Sequence, residues 1–178
     1  MTDMKYEKIL EEISQLSAHI VRVCCEKKLH IATAESCTGG MISAAITAVS
    51  GSSSVIELGV CSYSNRIKHE ILGVSSDTLD KYSEYSIQCA EEMALGAMKL
   101  SGAELAVSTT GVAGPTGGSE QHPVGEVCIA VRYGNAVHSK RYVFAHDDKE
   151  APLRDYIRAC AVRKALMLLD LMIMANAR

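Results

Sequence analysis

The sequence is poor in aromatic residues. It contains no Trp and one Phe, and the seven Tyr are scattered along the chain. A surface that stacks the bases of single-stranded nucleic acid is normally built from several aromatic side chains, so this class of binding site is not expected. The core therefore has to be formed by the aliphatic residues, chiefly Ala, Val, Ile, Leu and Met.

The sequence also lacks a concentrated positive charge. Its formal net charge is −3, its pI is about 6.1, and Lys and Arg form no cluster. Extended binding to nucleic acid or to an anionic membrane needs a basic field, so we expect neither partner. A local anion site is still compatible with this composition, because one phosphate needs only one or two cations and a few backbone N–H groups.

Long apolar runs and paired cysteine motifs are absent as well. No run approaches the roughly 20 apolar residues of a membrane span, and residues 1–8 contain no apolar leader-like segment. The seven Cys include no C-x-x-C pair, and several lie in apolar stretches. We therefore expect a cytoplasmic protein whose cysteines are reduced and behave as small apolar side chains.

Segments of helical and strand character alternate along the chain. Strands between helices are typical of sheets covered on both faces, and the last two strands form a hairpin around Tyr133–Asn135. The sequence therefore predicts one domain over residues 1–178, an α/β fold built as a three-layer α/β/α sandwich with a mixed sheet. The predicted helices cover residues 6–26, 38–49, 66–72, 86–100 and 150–174, and the predicted strands cover residues 30–34, 55–63, 104–110, 125–132 and 137–144.

Ser36 lies where the first strand turns into a helix. In α/β sheets, functional groups collect at the carboxyl ends of strands. The backbone N–H groups of Thr38, Gly39 and Gly40 would then point at an anion or oxyanion beside the Ser36 hydroxyl. The alternative is that Ser36 or Thr38 only caps the helix.

The segment after the second strand supplies candidates for a base. A serine hydroxyl is a weak nucleophile until a base removes its proton, and no His stands in a recognisable catalytic context. A lysine can act as this base if burial lowers its pKa. Tyr63 and Lys68 are placed to share one crevice, in which Tyr63 would relay a proton or hold the lysine. The alternative is that Lys68 is a solvated surface residue.

The third strand is followed by the glycine-rich segment Thr109–Gly118. Its glycines, at positions 111, 114, 117 and 118, match neither the phosphate loop of nucleotide hydrolases nor the dinucleotide-binding pattern. The segment is either a phosphate-binding loop or an ordinary flexible connection.

Taken in order, these segments resemble the CinA carboxy-terminal domain and nicotinamide-nucleotide amidase (PncC) family. The resemblance runs from about Glu11 to Leu171, and so many matches in a fixed order make it specific. It is carried by the segments Ala32–Gly40, Gly51–Ser53, Tyr63–Asn65 with Lys68, Leu72–Val74, Glu92–Ala94, Thr110–Pro115, Gly117–Ser119 and Pro123–Gly125.

The resemblance implies an amidohydrolase that converts nicotinamide mononucleotide to nicotinate mononucleotide and ammonia, with neither metal nor cofactor. It implies Ser36 as the nucleophile and Tyr63 and Lys68 as its activating partners. The same comparison, with the glycine-rich loops, gives the substrate-binding set Thr38, Gly39, Gly40, Thr110, Gly111 and Arg154. The partner implied is a small nucleotide.

Two departures from the family pattern keep alternatives open. Around Asp148–Pro152 the sequence is shifted by one residue, and Glu84 and Tyr85 stand where the family favours small residues. A non-catalytic nucleotide-binding module and an amidase for another small pyridine amide are the alternative functions. Cys37 is the alternative nucleophile. The apolar last helix suits a homo-oligomer interface or a core equally well.

Overall fold

The computed structural model describes residues 5–146, 148 and 151–176. Helices and strands alternate in the predicted order, and a 3-10 turn at Ser52–Ser54 precedes the second strand. The helices are α1 (Tyr6–Lys27), α2 (Met41–Thr47), α3 (Asn65–Leu72), α4 (Ser76–Tyr82), α5 (Ile87–Ser101) and α6 (Leu153–Asn176), and the strands are β1 (Ile31–Glu35), β2 (Ile56–Cys61), β3 (Leu105–Gly111), β4 (Glu126–Tyr133) and β5 (Ala136–Val143).

The five strands form one mixed sheet in the order β2-β1-β3-β4-β5. Strands β2, β1 and β3 are parallel, whereas β4 and β5 are antiparallel to their neighbours. The β4–β5 hairpin turns at Gly134, as its sequence predicts. The mixed sheet is thus confirmed.

Helices cover both faces of this sheet. On one face α6 packs on β3 and β4, with α1 and α2 beside it, and on the other face α5 packs across the sheet with α3 and α4 against it. Each face has its own apolar core, one rich in Ile, Val and Leu and the other built mainly from Ala. The structure is the predicted single-domain three-layer sandwich, and most of the apolar side of α6 belongs to the core.

Some predicted boundaries are wrong. The helix predicted to start at residue 38 begins at Met41, because Gly39 and Gly40 adopt left-handed backbone conformations that end a turn rather than continue a helix. Helix α4 was not predicted from the sequence, since its seven residues are mostly polar. The predicted start of the last helix at Glu150 lies outside the described residues.

This topology brings three connections to one edge of the sheet. The chain leaves β1 through α2 on one face and leaves β2 through α3, α4 and α5 on the other, so the carboxyl ends of β1 and β3 form a switch point. Crevices at such points are where α/β proteins bind ligands.

In the part of the chain that the structure describes, no helix combines the length and apolar character needed to cross a bilayer.

Candidate active site

Ser36 and Lys68 meet at this crevice. Ser36 directly follows β1, and its backbone N–H donates to the Thr109 carbonyl on β3 at 2.9 Å. Lys68 lies on α3, and its Nζ is 3.0 Å from Ser36 Oγ. Two side chains separated by 32 residues are therefore within hydrogen-bonding distance, which is the geometry required of a nucleophile and its base.

Lys68 is held in an unusual environment for a lysine. Its side chain is 1% exposed, and Nζ donates to the carbonyl oxygens of Ser62 at 3.0 Å and Tyr63 at 3.4 Å. Burial lowers the pKa of this amine, because the charged form loses hydration, although the nearby ionisable groups of Cys89, Glu84 and Cys37 act in the opposite direction. The alternative of a solvated surface lysine is therefore wrong.

The turn around Ser36 is organised by Glu35, a residue the sequence did not single out. Its fully buried carboxylate accepts from the backbone N–H groups of Gly40, Ile42 and Ser43 and from the Ser43 hydroxyl, at 2.9–3.0 Å. A carboxylate at the amino terminus of a helix satisfies free N–H groups and complements the helix dipole. The alternative that Ser36 or Thr38 caps α2 is wrong, because the side chain of Glu35 binds the N–H groups at the start of this helix.

The same contacts correct the predicted oxyanion donors. The Gly40 N–H is bonded to Glu35, and the Gly39 N–H donates to the Ser36 carbonyl at 3.1 Å, so neither is available to a ligand. Among the described residues, the N–H groups of Cys37 and Thr38 donate to no other protein atom. Of these two residues only Cys37 lines the cavity that Ser36 lines, so its N–H group is the backbone donor that remains there for a ligand.

Tyr63 contacts Lys68 through its backbone and not through its ring. Its side chain is 62% exposed, and its hydroxyl accepts from the Arg154 guanidinium at 2.9 Å. Of the two predicted roles of Tyr63, the described contacts do not support the proton relay, because its hydroxyl is bonded to Arg154, whereas its carbonyl oxygen holds Lys68. Arg154 also donates to the Gly114 carbonyl at 2.7 Å, which joins α6 to the glycine-rich loop.

These residues line a cavity of about 170 Å³. This volume is below the roughly 300–1,000 Å³ of a complete small-molecule site. The cavity therefore has room for one ring-sized group, and the remainder of a larger ligand would lie across its rim. Gly111 is in its wall, where a Cβ would come within 2.2 Å of the Glu126 carbonyl oxygen. The lining residues are Ser36, Cys37, Tyr63, Asn65, Lys68, Glu84, Tyr85, Gly111–Gly114, Thr116, Gly117 and Arg154.

Two predicted substrate-binding threonines are outside this lining. Thr38 and Thr110 are fully buried, and the Thr38 hydroxyl is bonded to that of Thr109 at 2.6 Å. The Thr110 hydroxyl donates to the Glu84 carbonyl at 2.5 Å. Both hydroxyl groups are hydrogen-bonded to other segments of the chain, so the prediction that these two side chains contact substrate is not supported by their positions.

Cys37 lines the cavity beside Ser36 but is a poor candidate nucleophile. Burial raises the pKa of its thiol to about 12. Only the thiolate attacks carbonyl carbon efficiently, and at neutral pH almost none is present at such a pKa. Within the described residues, no group of three or more His, Cys, Asp or Glu is arranged to hold a metal ion.

The profile of the CinA C-terminal domain matches residues 13–173, nearly the whole chain. The chain belongs to the CinA family. A CinA-like protein of Thermotoga neapolitana is 42% identical over 178 aligned positions, which cover 94% of this chain and 41% of the relative. A putative competence-damage inducible protein of Thermoanaerobacter sp. is 39% identical over 162 residues, 91% of this chain and 38% of the relative. The chain thus spans about two fifths of the length of these curated relatives.

Solved structures of the family share the fold over most of their length. The competence/damage inducible protein CihA of Agrobacterium tumefaciens is 38% identical, with a TM-score of 0.85 over 90% of this chain and 95% of that one. The competence damage-inducible protein A of Klebsiella pneumoniae is 33% identical, with a TM-score of 0.85 over 93% of this chain and 99% of that one.

Proposed function

We propose that this CinA-family domain is an amidohydrolase that converts nicotinamide mononucleotide to nicotinate mononucleotide and ammonia. The observation that supports it most is the 3.0 Å approach of a buried amine to the Ser36 hydroxyl in a cavity. In its uncharged form Lys68 has two N–H bonds and one lone pair. With the N–H bonds directed to the Ser62 and Tyr63 carbonyls, the lone pair is left for the Ser36 proton.

In the first half of the reaction, the Ser36 oxygen attacks the carboxamide carbon as its proton passes to Lys68 Nζ. The carbonyl oxygen becomes an oxyanion, which the N–H group of Cys37, a residue of the cavity lining, stabilises. Collapse of this intermediate breaks the C–N bond, and the Lys68 ammonium gives its proton to the departing amine. Ammonia leaves, and the acyl group is an ester on Ser36.

In the second half, the uncharged Lys68 removes a proton from water, which attacks the ester carbon. The Ser36–acyl bond then breaks, the serine recovers its proton from the lysine, and the acyl group leaves as the carboxylic acid, which ionises to the carboxylate by giving its remaining proton to water. The positively charged pyridinium ring withdraws electrons from the carboxamide, so a serine activated by an amine is a sufficient nucleophile for this amide.

Arg154 is the cation best placed for the phosphate of the substrate. Its guanidinium is fixed at the cavity wall by Gly114 and Tyr63, and a fixed fork of N–H donors suits phosphate oxygens. In this role Tyr63 orients Arg154 with its hydroxyl and Lys68 with its carbonyl. Binding at the phosphate then orients the carboxamide toward Ser36.

The test is ammonia release from nicotinamide mononucleotide by the purified protein. We expect Ser36→Ala to reduce kcat/KM about 10⁴-fold or more, and Lys68→Met to reduce it about 10²–10⁴-fold. Lys99→Met, which removes an exposed lysine from α5, is the matched control and should leave the rate unchanged. Full activity of Ser36→Ala would contradict the mechanism.

Two outcomes would favour the alternative functions. Thermal stabilisation of the protein by the nucleotide without release of ammonia would indicate a binding module. The observation that favours this alternative is that Glu84 and Tyr85 line the cavity. A higher kcat/KM for free nicotinamide or its riboside would indicate an amidase for another pyridine amide.

A further inference from the structure

Glu84 places a carboxylate in the wall of the active-site cavity. The residue follows α4 and is only partly exposed. Its negative charge acts on two other lining residues. It opposes the lowering of the Lys68 pKa by burial, and it adds to burial in raising the pKa of the Tyr85 phenol, with which the Glu84 side chain is also hydrogen-bonded. The carboxylate is therefore close to the space in which the reacting group of a substrate would lie.

The backbone that carries Glu84 is held in place from several sides. The Glu84 carbonyl accepts from Thr110 on β3, and the Tyr85 carbonyl accepts from the Cys128 thiol on β4 at 3.1 Å. The Tyr85 N–H donates to the Ser83 hydroxyl at 3.2 Å. These bonds fix the backbone of the turn to the sheet.

A chain of polar side chains strengthens this attachment. Ser83 Oγ lies 3.1 Å from His122 Nε2, and His122 Nδ1 lies 2.9 Å from Glu126 Oε1. Glu126 is 2% exposed and begins β4. The His122 ring also contacts that of Tyr85, with centroids 5.3 Å apart. A site fixed in this way is suited to discriminate between ligands, because its charge does not have to be ordered during binding.

The charges that line the cavity form no ion pair with each other. Among the ion pairs of the described residues, none involves Glu84 or Arg154, although both line the cavity. A carboxylate and a guanidinium that form no ion pair within one cleft are complementary to a ligand that carries both signs of charge. Arg154 is assigned to the anionic phosphate of the ligand. Glu84 is then left to bind a positive charge on another part of the same ligand.

We infer that Glu84 is a specificity-determining residue that selects a positively charged heteroaromatic ring over an uncharged one of the same shape. The inference rests on the proposed function, in which Ser36 attacks a carboxamide on a pyridinium ring. Its consequence is that the domain takes the oxidised, cationic form of a pyridine nucleotide and disfavours the reduced form, whose ring has no charge.

Binding of two nucleotides that differ only in ring charge tests this directly. Titration calorimetry on Ser36→Ala protein, which cannot turn over, is carried out with nicotinamide mononucleotide and with its dihydro form. We expect the oxidised nucleotide to bind more tightly, and Glu84→Gln to weaken its binding about tenfold while changing that of the dihydro form less than about twofold. Glu84→Asp, which keeps the charge, should retain the preference.

The controls separate this inference from the proposed function. Glu11→Gln removes an exposed carboxylate from α1 and should change neither affinity. Equal losses for both nucleotides in Glu84→Gln, or no loss for either, would overturn the role of Glu84 while the proposed function stands. Failure of the protein with Ser36 intact to release ammonia from any pyridine amide would overturn the proposed function itself.

Discussion

Replacement of Glu35 by Gln is the perturbation with the most direct structural consequence. The Glu35 carboxylate is buried and accepts four hydrogen bonds, two at each oxygen, from the start of α2. Glutamine has nearly the same shape, but one carboxylate oxygen becomes an NH₂ group that cannot accept. The substitution therefore tests acceptor capacity and charge with little change in packing.

The magnitude follows from where the NH₂ group can be placed. Opposite Gly40 and Ile42 it would face two N–H donors, whereas opposite Ser43 it would face one N–H donor and a hydroxyl that can rotate to accept. The second orientation leaves one buried donor unsatisfied, which costs about 1–3 kcal/mol. Loss of the negative charge at the helix terminus adds about 0.3–1 kcal/mol. We therefore expect the free energy of unfolding to fall by about 1.3–4 kcal/mol.

Urea denaturation of Glu35→Gln and the unaltered protein measures this difference. Glu57→Gln is the matched control, because Glu57 lies on β2 with a half-exposed side chain and the same change removes the same charge. The control should lose less than about 0.5 kcal/mol. A loss in Glu35→Gln below about 1 kcal/mol, or equal to that of the control, would refute the assignment of Glu35 as the internal cap of α2.

Three further predictions concern the site and its support. Cys37→Ala should keep kcat/KM within about threefold, because burial raises the thiol pKa to about 12 and leaves no thiolate to lose; a loss as large as that of Ser36→Ala would make Cys37 the nucleophile. The value of kcat/KM should rise with pH as Lys68 loses its proton, at a pH below the ordinary lysine pKa of about 10.4, because burial lowers this pKa. In Glu84→Gln the rise should move to still lower pH, because the variant lacks a negative charge that favours the Lys68 ammonium. A profile that is unmoved or shifted to higher pH would contradict the placement of Glu84. Gly96→Ala should lower the stability by about 1–3 kcal/mol in urea denaturation, because its Cβ would lie 1.9 Å from the Leu72 carbonyl oxygen of α3; unchanged stability would contradict the close contact of α3 and α5.

The order of the elements was predictable because their local signals agree with their burial. The alternation of strands and helices, the hairpin at Gly134 and the caps of α5 at Ser86 and Gly102 all follow from residue type and spacing. The start of α2 did not follow from these signals. Its position is decided by the left-handed backbone of Gly39 and Gly40 and by the carboxylate of Glu35, the last residue of β1, which accepts from the N–H group of Ser43.

The candidate site was predictable in its members more than in their roles. Ser36, Lys68 and Arg154 were identified from strand ends and from the resemblance, and all three line the cavity. The contacts of Tyr63 and Gly40 were not predictable from the sequence. The pairing of donors with acceptors depends on how α3 and α6 pack against the edge of the sheet. Residue type fixes what a group can bind, but not what is left within its reach.

The sequence by itself determined a mixed, doubly covered sheet and the chemical groups at its carboxyl edge, because periodicity and glycine placement act over short distances along the chain. Only the tertiary structure decided that Lys68 is enclosed beside Ser36 and that Glu84 lines the same cavity. Burial of a charge-bearing group depends on elements that are distant in sequence, and no local pattern reports it.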